Sequence, residues 1–215
     1  MGVKRWGAEN RSEGAAGFTL IELLVVITVI AILMALLFPA FRGAQEQAKR
    51  TQAKNDVTQI VTAVNAFYTE YGQYPVTDSS ADFTVDGLNS NTNDKLFNAL
   101  RGQGLDTTTN PKDIAFFSPP DVKDPANPRS GIGTAAATLG QYFDPWGKPY
   151  IARLDTTFDN VVSPNPYQLN AGASASVSGG VIAWSFGPDG KSDSVPGPAP
   201  DKKAGTNDDD VISWQ

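Results

Sequence analysis

Residues 18–40 are apolar at nearly every position, broken only by Glu22, two threonines and Pro39. A helix over this 23-residue run has no polar face, so it needs apolar surroundings on every side. At a rise of about 1.5 Å per residue it is long enough to cross a bilayer with some tilt. Beyond it the pattern changes. Val57, Ile60, Val61, Val64, Phe67, Tyr68 and Tyr71 recur at three- and four-residue steps and form one apolar stripe, with Asp56, Gln59, Thr62, Asn65 and Thr69 on the other faces. The spacing predicts that the helix continues to Tyr71, kinked at Pro39, and stops at Gly72 with Pro75 close behind.

Residues 76–93 are Asp, Ser, Asn, Thr and Gly with few apolar positions, which predicts an exposed loop. A short helix follows over residues 94–101, capped by Asn93 or Asp94 and ended by Gly102. Residues 103–142 are rich in Pro, Gly and Ala around a short buried piece at 114–117. Gly131-Ile132-Gly133 is expected to be a flexible loop, because no βαβ unit surrounds it. The period then drops to two. Tyr150, Ala152 and Leu154 mark one face of a strand, as do Ile182, Trp184 and Phe186, while Tyr167-Gln168-Leu169 and residues 211–214 are further strand candidates. Asp144-Pro145-Trp146-Gly147-Lys148-Pro149-Tyr150 predicts a turn whose aromatics pack inward. The expected class is α+β: a long N-terminal helix, half membrane and half soluble, packed on a small antiparallel sheet, since each element must hide its apolar face on the other.

Composition narrows the chemistry. The chain has 215 residues, enough for one membrane segment and one modest globular domain, and a net charge of −6, which argues against a nucleic-acid partner. It contains no cysteine and no histidine. Disulfide scaffolds, thiolate or histidine zinc sites, and Ser-His-Asp catalysis are thereby excluded, and no enzymatic role is expected.

Residues 1–17 carry Lys4, Arg5 and Arg11 against Glu9 and Glu13, then end in Gly14-Ala15-Ala16-Gly17. A secretory signal is cut after its apolar core near small residues, whereas here the small residues come first. The basic leader favours a cytoplasmic N-terminus, against Arg42, Lys49, Arg50 and Lys54 on the far side. Glu22 is the anomaly, because a carboxylate within a membrane segment costs about 2.5–3.5 kcal/mol on insertion scales. Cutting the chain between Gly17 and Phe18 would create an amine one helical turn away, within reach of Glu22 in the same chain or in a neighbour.

Gly17-Phe18-Thr19-Leu20-Ile21-Glu22 resembles the processing site of type IV pilins and pseudopilins. The resemblance implies that a prepilin peptidase cuts after Gly17 and methylates Phe18, that Glu22 sets assembly register, and that Pro39 is the family's helix-disrupting proline. Residues 66–75, 144–150, Ser185-Phe186-Gly187-Pro188-Asp189-Gly190 and the ending Asn207-Asp208-Asp209-Asp210-Val211-Ile212-Ser213-Trp214 are similar to the major pseudopilin of type II secretion. On the residues alone, the acidic ending reads either as a solvated charge run or as an oxygen-only cation site, without EF-hand spacing. The resemblance implies Ca²⁺ held by Asp189, Asp209 and Asp210, in a connection that this chain lengthens by a proline-rich insertion at 192–203.

The organisation expected is therefore a cleaved cytoplasmic leader (1–17), a transmembrane or filament-core helix (18–40) and a periplasmic head (41–215). The resemblance implies a structural subunit that leaves the inner membrane to form a helical homo-oligomeric filament. Its implied partners are the peptidase, minor pseudopilins and an inner-membrane assembly platform, and filament growth would drive export across the outer membrane. Alternatives are a pilus for adhesion, motility or DNA uptake, and a membrane-anchored binding or enzymatic domain.

Overall fold

The computed structural model describes residues 18–76, 82–85, 92–167, 174–190 and 210–214, except the side chains of Pro39 and Ala40. The chain divides between Gln45 and Glu46 into two units. Helix α1, Leu20–Tyr71, contributes to both and is assigned without a break through position 39.

The part of α1 in the first unit is exposed at residues 20–38 of its apolar run, and its mean hydropathy reaches 3.0 over an 18-residue window. The second unit holds the sheet. Its elements in order are β1 (Phe83–Val85), α2 (Asp94–Arg101), β2 (Gly131–Ile132), β3 (Tyr142–Phe143), β4 (Ile151–Leu154), β5 (Val161–Val162), β6 (Val177–Ser178), β7 (Val181–Ser185) and β8 (Val211–Ile212). Four antiparallel strands form the main sheet in the order β1-β4-β7-β8, and β2-β3 and β5-β6 form two further pairs. The fold is α+β, as the period change predicted.

Most of the α1 stripe packs as expected, with Val61 and Tyr71 partly buried, but Tyr68, placed on the same stripe, is exposed. Ala53, Val57, Ile60, Ala63, Val64 and Phe67 are buried in one core with Ala152 and Leu154 of β4 and Val181 and Ala183 of β7. Replacing a residue such as Phe67 with Ala costs about 3–5 kcal/mol in such a core. The second face of the same strands is also covered. Ile151, Ile182, Trp184, Phe186 and Ile212 pack with Val162 and Tyr167 in a separate cluster. The Ile182-Trp184-Phe186 face thus exists, but it lies on the side of the sheet that α1 does not cover.

Five expectations need correction. Residues 76–93 are not all exposed loop: Phe83–Val85 pair with Leu154–Ala152 of β4, and Val85 is buried in the core. Asp56 is not on a solvent face but only 7% exposed. The 131–133 segment is not a free loop: Gly131 and Ile132 pair with Phe143 and Tyr142. A Cβ on Gly131 would lie 2.6 Å from the Pro120 carbonyl oxygen, so only glycine allows that approach. Tyr167 sits in a turn rather than a strand, and residues 168–169 lie outside those described. Asn93 precedes α2 but makes no side-chain cap. Its amide instead donates to the Tyr142 and Tyr150 carbonyls at 3.0 and 2.8 Å, and its oxygen accepts from Tyr142 N–H.

Candidate functional site

Among the described residues of the first unit, Thr19 and Glu22 form a polar arrangement at the start of α1. Leu23 N–H donates to the Thr19 carbonyl at 3.2 Å, which makes Thr19 the cap residue and Glu22 the third residue of the helix. The Thr19 hydroxyl accepts from Glu22 N–H at 3.3 Å. In return, Glu22 Oε2 accepts from Thr19 N–H at 2.9 Å and from the Thr19 hydroxyl at 2.6 Å. This is a reciprocal capping box, which satisfies donors that a helix start otherwise leaves without intrahelical partners. A carboxylate in the first turn also meets the positive end of the helix dipole.

Glu22 is therefore engaged before any cleavage. The sequence reading paired it with an amine that had yet to be made, and passed over Thr19, although Thr-x-x-Glu before an apolar run is a readable cap signal. Phe18, the predicted new N-terminus, lies immediately ahead of the cap and is exposed. Gly17 lies outside the described residues.

In the second unit, Asp189 is exposed on the turn at 187–190 that follows β7, and Asp210 is buried immediately before β8. The pairing Ser185↔Val211 sets these residues at the two ends of one connection, 191–209. Asp210 Oδ2 accepts from Tyr167 O–H at 2.5 Å. Asp209 lies outside the described residues. Both described carboxylates are hard oxygen donors, the right kind for Ca²⁺. Among the described residues, however, no group of three acidic side chains comes together to hold a metal.

Two further carboxylates were missed or misread. Asp56 accepts from Tyr150 O–H at 2.7 Å. Burial raises its pKa above the ordinary value, opposed by hydrogen bonds from Tyr150, Tyr142 and Gln52. Asp144, fully buried, accepts from Ser185 O–H at 2.5 Å and from the backbone N–H groups of Trp146 and Lys148 at 2.9 and 2.8 Å. Burial raises its pKa too, against those bonds. Asp144 is thus the fixed point of the predicted 144–150 turn and ties it to β7. Trp146 packs against the core and donates its indole N–H to Glu46 at 3.0 Å.

A raised folded-state pKa means that the contribution is complete below the unfolded value, near 4, and is lost as pH rises through the raised value. The contribution of these two groups to the melting temperature of the detergent-solubilised chain is expected to grow as pH falls from neutral towards the unfolded carboxylate value of about 4. Asp56→Asn is expected to flatten that growth, measured by thermal melts across pH.

Residues 14–38 match the family described as the prokaryotic N-terminal methylation motif. The chain is similar to the type IV major pilin protein PilA of Myxococcus xanthus, 38% identical over 74 residues that cover 34% of this chain and 31% of that one. It is also similar to type II secretion system core protein G of Pseudomonas aeruginosa, 35% identical over 83 residues, 39% of this chain and 58% of that one. The core protein G of Aeromonas hydrophila is 29% identical over 135 residues, 63% of this chain and 70% of that one. The chain spans less than two thirds of the length of the first two relatives. No solved structure matches it.

Proposed function

The chain belongs to the type IV pilin and pseudopilin family, and on that premise we propose that it is a structural subunit of a type II secretion pseudopilus. The carrying observation is the Thr19–Glu22 capping box at the head of the exposed apolar run of α1. A helix apolar all round is stored in lipid or packed among its own kind.

In this reading a prepilin peptidase cuts after Gly17 and methylates the Phe18 amine, and the head stands in the periplasm. Glu22 then gains a cationic partner beside its cap, either its own amine or that of a neighbouring subunit. Pairing across subunits offsets the cost of the carboxylate in an apolar core and holds the register of each added copy. Filament growth from the inner-membrane platform, with minor pseudopilins, pushes exoproteins through the outer membrane. The role is structural rather than catalytic.

Deleting the gene tests this. Exoproteins are expected to accumulate in the periplasm while surface fibres persist. Loss of fibres or motility with normal export would favour the pilus reading, which the pilin relative also supports.

Calcium is a second part of the proposal. Asp189 and Asp210, with Asp209, would hold the ion and fix the 191–209 connection. Chelation is expected to lower the melting temperature of the solubilised chain by several degrees, and Asp189→Ala to abolish the calcium response. An unchanged melt on chelation would remove calcium from the account.

A further inference from the structure

The β4–β5 connection of the second unit is built around one buried carboxylate. Asp155 accepts from Thr157 O–H at 3.0 Å, Asp159 N–H at 3.3 Å and Asn160 N–H at 2.6 Å. The connection it fixes holds Phe158 at φ 62° and Asn160 at φ 60°. Asparagine tolerates that left-handed conformation; for a bulky aromatic residue it is a genuine outlier. The Phe158 ring stacks 5.7 Å from Tyr74 and lies 6.1 Å from Tyr68, which itself stacks on Tyr74 at 4.8 Å. Even so, Phe158 is 53% exposed and Tyr68 37% exposed. A strained, firmly held aromatic presented to solvent has the form of a pre-organised interface anchor. Beside it stand the carboxylates of Asp159, the next residue, and of Asp82, which accepts from the Thr157 hydroxyl at 3.4 Å, against Arg153, a local balance of −1.

The opposite charge lines a cleft of about 790 Å³ between α1 and the 120–130 segment, with Lys49, Lys123, Asn127 and Arg129 among its walls. Lys49, Lys123 and Arg129 outnumber Asp121 and Asp124 in these walls, a balance of +1. Lys49 and Tyr68 lie 19 residues apart on α1, about 28 Å at 1.5 Å per residue. Knob and cleft are thus different, separated and complementary surfaces of one unit. Such a pair makes a heterologous contact, which propagates as a filament unless its rotation closes a ring.

We infer that the Phe158 knob of one copy docks in the Lys49–Lys123–Arg129 cleft of a second copy of this chain. The inference rests on the filament reading above and supplies its head-to-head contact. Because the chain has no cysteine, introduced ones report without background.

The full-length chain carrying Phe158→Cys and Asn127→Cys, produced with its export machinery, is expected to give a ladder of disulfide-linked multimers, with neither single variant doing so. Phe158→Ala is expected to reduce filament length at least tenfold with an unchanged melting temperature. Lys123→Asp should do the same, and adding Asp159→Lys should restore assembly. Wild-type filaments from Phe158→Ala with no ladder overturn the contact while leaving the assembly reading intact. Full-length filaments that fail only in export place the knob against another protein and also overturn it. Cross-linking by Phe158→Cys alone indicates a symmetric contact and contradicts the geometry. Absence of filaments from the unsubstituted chain contradicts both readings.

Discussion

Glu22→Ala is expected to leave cleavage after Gly17 intact and to abolish filament assembly. In the proposed reading the substitution removes the partner of the Phe18 amine, and it also opens the Thr19 cap. The cap alone is a modest effect, about 1 kcal/mol. An amine left unpaired in an apolar core is larger, about 3–5 kcal/mol, or roughly a hundredfold to several thousandfold in the equilibrium for each added subunit. Glu22→Gln separates the two effects. Glutamine keeps the capping box, whose third position accepts either residue, but carries no charge. Assembly is therefore expected to fail in Glu22→Gln as well, even though the helix start is preserved. Thr19→Ala is expected to weaken assembly only slightly. Immunoblots for processing and electron microscopy of sheared fibres read both steps. Assembly by Glu22→Gln at the native level would show that the residue acts as a cap and not as an ion-pair partner.

The second large effect belongs to Asn93. Its side chain makes three hydrogen bonds to the backbone of Tyr142 and Tyr150, inside the core where α2, β3 and the start of β4 meet. Asn93→Ala removes all three and leaves buried backbone groups short of partners, at about 1–3 kcal/mol each. A total loss near 3 kcal/mol is a large part of the stability of a head this size. Thermal melts are expected to fall by about 10 °C. Asn93→Asp keeps the acceptor but loses the two donors, and is expected to be nearly as damaging. A melt within 2 °C of wild type for Asn93→Ala would mean that water replaces the amide.

These two residues also mark where sequence reasoning succeeds and where it stops. The methylation motif, the long helix, its stop at Gly72 and most of its buried stripe were legible, because each is a local pattern of period or composition. The capping box was equally local and was passed over only because Glu22 was weighed against lipid rather than against Thr19. Asp56 and Asn93 were misread for another reason. An aspartate beside an apolar stripe and an asparagine before a helix have common local explanations. Their actual partners, Tyr150 for Asp56 and Tyr142 and Tyr150 for Asn93, lie 49 to 94 residues away. Gly131–Ile132 is two residues long, too short for alternation to register. The apolar face of Ile182, Trp184 and Phe186 was found, but not its side of the sheet, since β7 is buried on both faces and period alone does not say which one meets α1.

The acidic ending stands between these cases. Asp189 and Asp210 were singled out by resemblance, and the β7–β8 register places them at the ends of one connection. Composition alone could not have joined them, because what unites them is strand pairing.

The central claim is that the stored helix becomes a filament core only after the leader is removed. Intact-mass measurement of this chain recovered from sheared filaments tests it most directly. The account predicts a chain that begins at a methylated Phe18 and has lost all 17 leader residues. Filaments built from chains that still carry those residues would contradict it.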